Sequence, residues 1–177
     1  EERISSRVPA PYLTGKAWFA GMEFEVTRDV LVPRSPIAEL IMNHFDPWID
    51  YDQVGRILDL CTGSGCIGIA AAMQFPDAGV DVVDISPEVL QVARRIVEKH
   101  HCEERVSVIK SDLFDQVPAD RRYDLILSNP PYVSRDEYNS LPKEYRHEPR
   151  IGREAGEDGM DIVARIRAGA GSYLAPG

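Results

Sequence analysis

The tetrapeptide Asn129-Pro130-Pro131-Tyr132 has the residue types needed to position a flat nitrogen group for a reaction. It follows residues 123–128, whose apolar run predicts a buried strand. The two prolines end that strand because neither has a backbone N–H, and each holds the residue before it extended. The Asn129 side-chain oxygen and the Pro130 carbonyl then become two acceptors for an NH2 group of an amide or a nucleobase, with the Tyr132 ring against its face. An ordinary Asn-Pro turn is the alternative.

Residues 59–65 (Asp-Leu-Cys-Thr-Gly-Ser-Gly) predict a ligand-binding turn between a strand and a helix. Gly63 and Gly65 allow the backbone to turn tightly and to approach a ligand closely. A tight turn without a ligand is the alternative for this motif taken alone. Asp84 ends the next predicted strand, where a carboxylate can accept hydrogen bonds from both ribose hydroxyls of an adenosine. Together these residues predict a cofactor that contains adenosine.

The identity of that cofactor depends on the charges around the turn. With Gly68 as a third glycine, the spacing also fits the dinucleotide pattern. However, Asp59 is predicted to face the ligand, where it would repel a pyrophosphate and attract an ammonium, and no basic residue lies near the loop. S-adenosylmethionine has an ammonium, a sulfonium and an adenosine, so it is the predicted cofactor. Asp112 and Leu113 are predicted to contact the adenine amino group and ring; for Asp112, a plain loop role is the alternative.

Alternating strands and helices are predicted to position these residues. The pattern predicts strands at 57–60, 80–84, 106–109 and 123–128, helices at 66–75 and from residue 87, a long loop at 136–153 and a last helix capped by Asp158. This alternation predicts an α/β fold with a doubly wound, mainly parallel sheet. Ligands bind such sheets beyond the carboxyl ends of the strands, at the switch point.

The first part of the chain predicts a separate region. Residues 1–35 read as a linker with a small β-hairpin around Gly21-Met22, and residues 36–177 as the catalytic domain. Ser35 is a candidate helix N-cap with Pro36 at the first helical position. Pro33 and Arg34 predict a lid over the ligand in which Arg34 holds a carboxylate; a simple helix start is the alternative.

Composition limits the classes of partner and environment. The 177 residues carry a net charge of −9, which argues against a broad nucleic-acid footprint and is compatible with a basic protein partner. No apolar run has membrane-spanning length, and the chain opens without Met, so it is expected to start inside a longer protein. The spacing of the three cysteines and four histidines matches no metal-binding motif. The sequence therefore predicts a cytoplasmic protein with reduced thiols and no metal.

The motifs together resemble those of class I S-adenosylmethionine-dependent methyltransferases, which have a Rossmann-like fold. Three further segments narrow the resemblance to the HemK-like protein glutamine-N5 methyltransferases, over nearly the whole chain: residues 31–36 (Leu-Val-Pro-Arg-Ser-Pro), Glu148-Pro149 and residues 156–159 (Gly-Glu-Asp-Gly). The Pro-Arg-Ser-Pro form resembles the PrmB-type branch, which methylates a large-subunit ribosomal protein. Compared with the family, residues 1–177 are expected to contain no N-terminal helical domain, and the sheet is expected to be truncated at the C-terminal strands.

The resemblance implies a role for each matching residue. It implies that the cofactor is held by Asp59, Thr62, Gly63, Gly65, Asp84, Ile85, Asp112, Leu113, Asn129, Pro33 and Arg34. It implies that the substrate is bound by Asn129, Pro130, Pro131 and Tyr132, of which Asn129, Pro130 and Tyr132 are catalytic. The expected reaction is methylation of a glutamine amide nitrogen, which the two acceptors orient toward the methyl group. Methylation of a release factor is the alternative protein substrate.

Three functions from other classes compete with this one. An adenine-N methyltransferase would place a flipped base against the same tetrapeptide, but it would need a basic groove. A non-catalytic adenosine-binding module would tolerate replacement of Asn129. A nicotinamide-dependent oxidoreductase leaves the Asn-Pro-Pro-Tyr motif unexplained.

The end of the chain carries one further expectation. Residues 123–128 are apolar on both faces, and the next strand of the sheet is expected to begin just where the sequence stops. An unpaired strand edge is a template for association, so a second copy or the region 136–159 is expected to cover it. A chain of this length is expected to bind cofactor weakly and to turn over poorly.

Overall fold

The computed structural model describes residues 7–142, 145 and 147–176. The described strands are β1 (Lys16–Phe19), β2 (Met22–Glu25), β3 (Arg56–Leu60), β4 (Gly79–Asp84), β5 (Val106–Lys110) and β6 (Leu125–Ser128). The described α-helices are α1 (Ala10–Thr14), α2 (Ile37–Met42), α3 (Cys66–Gln74), α4 (Pro87–Lys99), α5 (Arg135–Ser140) and α6 (Asp161–Ala170). Short 3-10 helices lie at Tyr51–Gln53 and Arg150–Gly152.

The centre of the fold is a four-stranded parallel sheet in the order β5-β4-β3-β6. The chain runs outward from β3 through β4 to β5 and then crosses back to place β6 on the other side of β3. The strand order therefore reverses between β3 and β6, which is the point where open parallel sheets bind ligands. The predicted doubly wound α/β architecture is confirmed.

The central strands of the sheet are buried on both faces, which explains why they consist mainly of apolar residues. Ile57, Leu58 and Leu60 of β3 have no exposed surface. Helix α3 lies directly on this sheet because Gly68 has no side chain: a Cβ there would come within 2.4 Å of Val82 Cγ1. The close approach of helix and sheet sets the position of the turn that precedes α3.

Helix α4 buries the face that its apolar spacing predicts. The residues at that spacing are all nearly or completely buried: Val89, Leu90, Ala93, Ile96 and Val97. The helix begins as expected, since the Ser86 hydroxyl accepts a hydrogen bond from the Val89 N–H and Pro87 occupies the first turn.

The predicted hairpin is also present, as β1 and β2 joined by Ala20-Gly21. It packs on α4, where Glu25 pairs with Arg95 at 2.7 Å and Phe24 lies in the same hydrophobic core cluster as the sheet residue Ile57. The division of the chain at residue 35 stays a prediction.

Two expectations about the C-terminal third are wrong. Residues 136–153 are not one loop, because α5 occupies 135–140 and a 3-10 helix occupies 150–152. The signal for α5 is a capping box between Ser134 and Glu137, and a helix of six residues is too short to show apolar periodicity. The last helix begins at Asp161 rather than after Asp158, whose carboxylate accepts from the Met160 N–H at 2.9 Å.

After α6 the chain returns to the sheet beside the start of β6. The Tyr123 N–H donates to the Tyr173 carbonyl at 2.8 Å, and the Ala175 N–H donates to the Tyr123 carbonyl at 2.9 Å, which forms a parallel bridge. Strand β6 itself has β3 as its only neighbouring strand within the described ranges. No helix in the described part of the chain is both long and apolar enough to cross a bilayer.

Candidate active site

Two cavities meet at the carboxyl ends of β3 and β6. The Asp84 cavity, of about 230 Å³, lies over the ends of β3, β4 and β5 and is lined by Asp84, Gly63 and Leu113 among others. The Tyr132 cavity, of about 550 Å³, lies beside it and is lined by Pro130 and Tyr132 among others. Asn129 lines both cavities. The residue that the sequence singles out for chemistry therefore stands at their junction.

The carboxylate of Asp84 is held in place by backbone donors. Its Oδ2 accepts from the Gly63 N–H and its Oδ1 from the Ser86 N–H, each at 3.0 Å. Burial raises the pKa of this carboxyl. Each carboxylate oxygen retains a second lone pair, so the group can still accept hydrogen bonds from a ligand hydroxyl.

Apolar walls flank that carboxylate. Val83, Ile85, Val89 and Leu113 line the Asp84 cavity, and Ile85 is 47% exposed. Leu113 and Cys61, which also lines the cavity, have left-handed backbone conformations with φ of 51° and 55°. Such conformations are strained in residues other than glycine and cluster at functional sites. A carboxylate beside apolar walls suits a nucleoside, whose ribose is polar and whose base is flat.

The charges that line the Asp84 cavity are mainly negative. Four carboxylates contribute to its wall, those of Asp29, Asp84, Asp112 and Glu154, against one arginine, Arg165. Such a lining favours a cationic ligand and opposes a pyrophosphate. The lining thus supports the distinction between cofactors made from the sequence, but through a different set of carboxylates that does not include Asp59.

Asp112 lies in the Asp84 cavity, as predicted, but it has a partner in the chain. Its Oδ2 is 3.0 Å from Arg165 Nη2 of helix α6. Sequence reasoning missed Arg165, because nothing local places α6 against the end of β5. The predicted contact between Asp112 and adenine stays a prediction.

Asp59 lies beneath the turn rather than in the cavity. It has no exposed surface, and its Oδ2 accepts from the Thr62 hydroxyl and, at 2.9 Å, from the Gly68 N–H. Its Oδ1 has no hydrogen-bond partner among the described residues. Asp59, Thr62 and Gly65 are not among the residues that line either cavity. They shape the turn, and their direct contact with a cofactor stays a prediction.

Burial raises the pKa of Asp59 to about 7, from an ordinary value of 3.8. The native state then binds the Asp59 proton more tightly than the unfolded chain does. We therefore expect stability to fall as the pH rises between these two values, with the penalty complete above about pH 7. Asp59→Asn should lose this pH-dependent component, and urea unfolding of both proteins at about pH 5 and pH 8 measures it. A difference between the two proteins that does not change with pH would contradict the expectation.

The Asn-Pro-Pro-Tyr segment divides its residues between the cavities. Pro131 lines the Asp84 cavity, and Pro130 and Tyr132 line the Tyr132 cavity. The alternation is that of an extended chain, in which successive residues face opposite sides. The segment is tied to the sheet by the Ser128 hydroxyl, which donates to the Leu60 carbonyl at 2.8 Å. Tyr132 is 63% exposed, which leaves its ring free to cover a group that enters from solvent.

The segment around Arg34 forms another wall of the Tyr132 cavity. Arg34, Ser35 and Pro36 line it, whereas Pro33 is buried. The sequence predicts that Arg34 holds a carboxylate, and the structure supplies one from the chain itself: Arg34 Nη2 is 2.7 Å from Glu148 Oε2. Arg34 is not among the residues that line the Asp84 cavity, so its contact with a cofactor, like that of Pro33, stays a prediction.

Within the described part of the chain, no cluster of three or more His, Cys, Asp or Glu side chains is placed to hold a metal ion.

Comparison with known proteins agrees with this arrangement. A family model described as the methyltransferase small domain matches residues 37–143. A curated relative from Francisella tularensis, named ribosomal protein uL3 glutamine methyltransferase, is 52% identical over 174 residues, which cover 98% of this chain and 55% of the relative. The chain spans about half the length of the curated relatives it matches.

Solved structures share the fold at low sequence identity. The hMettl16 catalytic domain, crystallised with MAT2A 3'UTR hairpin 6, has a TM-score of 0.65 and 16% identity, over 84% of this chain and 56% of that one. An RNA methyltransferase from Salinibacter ruber, in complex with S-adenosyl-L-homocysteine, has a TM-score of 0.53 and 18% identity, over 83% and 73% of the two chains. The family match and the fold together show that this chain belongs to the methyltransferase small domain family.

Proposed function

We propose that this chain is the catalytic part of an enzyme that transfers a methyl group from S-adenosylmethionine to a glutamine side-chain nitrogen. The observation that carries the proposal is the position of Asn129 at the junction of two cavities, one lined by carboxylates and apolar side chains and the other containing Pro130 and Tyr132. The name of the Francisella tularensis relative supports a large-subunit ribosomal protein, uL3, as the substrate.

The residues of the Asp84 cavity fit this cofactor. We infer that Asp84 binds the ribose hydroxyls, that Ile85 and Leu113 pack on the adenine, and that the Gly63 backbone lies close to the ligand. The acidic lining suits the ammonium and sulfonium charges. When bound, S-adenosylmethionine supplies an electrophilic methyl group on a positively charged sulfur.

The residues of the Tyr132 cavity supply orientation rather than strong base catalysis. A glutamine amide nitrogen is a weak nucleophile because its lone pair is delocalised into the carbonyl. In our proposal, the Asn129 side-chain oxygen and the Pro130 carbonyl accept its two N–H bonds and point the nitrogen toward the Asp84 cavity. Positioning of this kind lowers the barrier, and the two oxygens stabilise the positive charge that develops on nitrogen. Tyr132 lies against the amide face, and the proton leaves to water after transfer.

Adenine-N methylation of nucleic acid is less well supported. The two arginines that line the Tyr132 cavity, Arg34 and Arg153, are both paired with Glu148, and Arg135 and Arg150 are paired with Glu154. Paired guanidinium groups provide a weak phosphate-binding surface, and the whole chain carries a charge of −9. The two RNA-related structures are similar in fold alone.

A labelling experiment separates the candidate substrates. The full-length enzyme is incubated with methyl-labelled S-adenosylmethionine and, in parallel, with ribosomal protein uL3, a release factor, and single-stranded DNA or RNA. We expect label on uL3, at a glutamine side chain located by mass spectrometry. Label on the release factor alone would change the substrate, and label on the nucleic acid alone would overturn the proposal.

Two further properties follow from the proposed activity and fold. An enzyme that modifies a ribosomal protein works where that protein is made and assembled, so we infer a cytoplasmic location.

Self-association through the open side of β6 is also proposed, because β3 is the strand's only neighbour in the described ranges. Sedimentation at several concentrations tests it, and a monomer at all of them would contradict it.

A further inference from the structure

One buried carboxylate, that of Glu148, joins two walls of the Tyr132 cavity. Its side chain is only 1% exposed. Its Oε2 accepts from Arg34 Nη2 at 2.7 Å and from Arg153 Nε at 2.9 Å, and it also accepts from Arg153 Nη2. Arg34 and Glu148 are 114 positions apart in the chain, and both arginines line the cavity. The carboxylate thus ties together segments that the chain brings to the site from far apart.

An aromatic ring completes this cluster. The guanidinium carbons of Arg34 and Arg153 lie 5.9 and 4.7 Å from the centroid of the Tyr145 ring, and Tyr145 itself lines the Tyr132 cavity. Cation–π contacts of this kind add to the ion pairs and limit the planes in which the guanidinium groups can lie. Arg34, Tyr145, Glu148 and Arg153 are here called the Glu148 cluster. Three of its members line the cavity, and Glu148 lies buried behind them.

The Glu148 cluster is also connected to the reacting segment. The carbonyl of Arg153 accepts from the Val133 N–H at 2.9 Å, and the Ala155 N–H donates to the Val133 carbonyl at 3.0 Å. Val133 directly follows Tyr132. A shift of Arg153 would therefore move the backbone that positions Tyr132, while a shift of Arg34 would move the facing wall.

We propose that Glu148 is a positioning residue for methyl transfer, an inference that rests on the proposed function. Through its two arginines it holds the walls of the Tyr132 cavity at the separation that aligns a glutamine with Asn129. Its burial means that it acts without touching the substrate. Alignment matters because a displacement of about 1 Å from the productive geometry can cost about 100-fold in rate.

The test compares Glu148→Gln with wild type in the full-length enzyme, with uL3 as substrate. Gln keeps the shape of the side chain and removes the charge that holds both arginines. We expect kcat/KM for uL3 to fall about 10- to 100-fold, mainly through kcat, because the wall orients the bound glutamine. Affinity for S-adenosylhomocysteine should stay within about twofold, since Glu148 does not line the Asp84 cavity. Glu148→Asp should recover part of the rate.

A second variant and a control keep the test decisive if Glu148→Gln folds poorly. Arg34 is half exposed, and Arg34→Gln leaves Glu148 paired with Arg153. We expect it to reduce kcat/KM as well. Where Glu148→Gln does fold, the double variant should lose less than the product of the two single losses. Glu25→Gln, which breaks the exposed pair with Arg95 on the hairpin, should leave kcat/KM unchanged.

The outcomes distinguish this inference from the function on which it rests. If wild type places no methyl group on a glutamine, the proposed function fails before any variant is compared. If wild type is active and folded Glu148→Gln and Arg34→Gln both retain normal kcat/KM, the positioning role is wrong. Parallel loss of cofactor affinity and activity would also overturn it, because general loosening of the fold would then explain both.

Discussion

Replacing Asn129 by Ala is expected to lower kcat for methyl transfer by about 100- to 1,000-fold, the range found when one preorganised group is removed from a transition-state site. The expectation depends on the position of Asn129, which lines both cavities at the end of β6. In the proposed reaction its side-chain oxygen orients the glutamine nitrogen and interacts most strongly as that nitrogen becomes positive. Affinity for S-adenosylhomocysteine should stay close to that of wild type, because the lost interaction belongs mainly to the transition state.

The measurement for Asn129 is single-turnover transfer of labelled methyl to uL3, combined with calorimetry of cofactor binding. Asn139→Ala is a matched control, since it makes the same chemical change at an exposed position of α5 that is not among the residues lining either cavity. Near-normal turnover in folded Asn129→Ala would make this residue a structural turn and would favour a different site of reaction.

Replacing Asp84 by Ala is expected to weaken binding of S-adenosylmethionine and S-adenosylhomocysteine by about 100-fold or more. In the proposed complex the carboxylate accepts from two ribose hydroxyls, and each hydrogen bond to a charged group contributes about 1.5–3 kcal/mol. Together, about 3 kcal/mol or more corresponds to about 100-fold or more in affinity. Part of the loss comes from the turn itself, because Asp84 also accepts from the Gly63 and Ser86 N–H groups.

The two contributions of Asp84 can be separated by a second variant. Asp84→Asn keeps the size and one acceptor oxygen, so it should preserve more of the turn while losing the charge. Calorimetry on both variants, with thermal unfolding to confirm the fold, gives the measurement, and Asp120→Ala on an exposed loop is the control. Unchanged cofactor affinity in Asp84→Ala would count decisively against the placement of the ribose.

The sequence alone determines the scaffold and the general place of the site. Apolar runs that alternate with helical patterns predict the parallel sheet, because strands covered on both faces are built mainly from apolar residues. Ser86 and Pro87 predict the start of α4 through local capping chemistry. The prolines after Asn129 end β6 at the switch point because they lack the backbone N–H that would continue the hydrogen bonds between strands. This effect is local and does not depend on distant residues.

Only the tertiary structure decides which charged groups meet at that site. The sequence predicts that Asp59 faces the ligand, but the close packing of Gly68 against the sheet places its carboxylate beneath the turn. Arg34 and Glu148 pair across 114 positions, and Arg165 of α6 reaches the end of β5. Local propensity acts over a few neighbouring residues, whereas an ion pair depends on where whole elements pack. The partners of these charges therefore become visible only once the chain is folded.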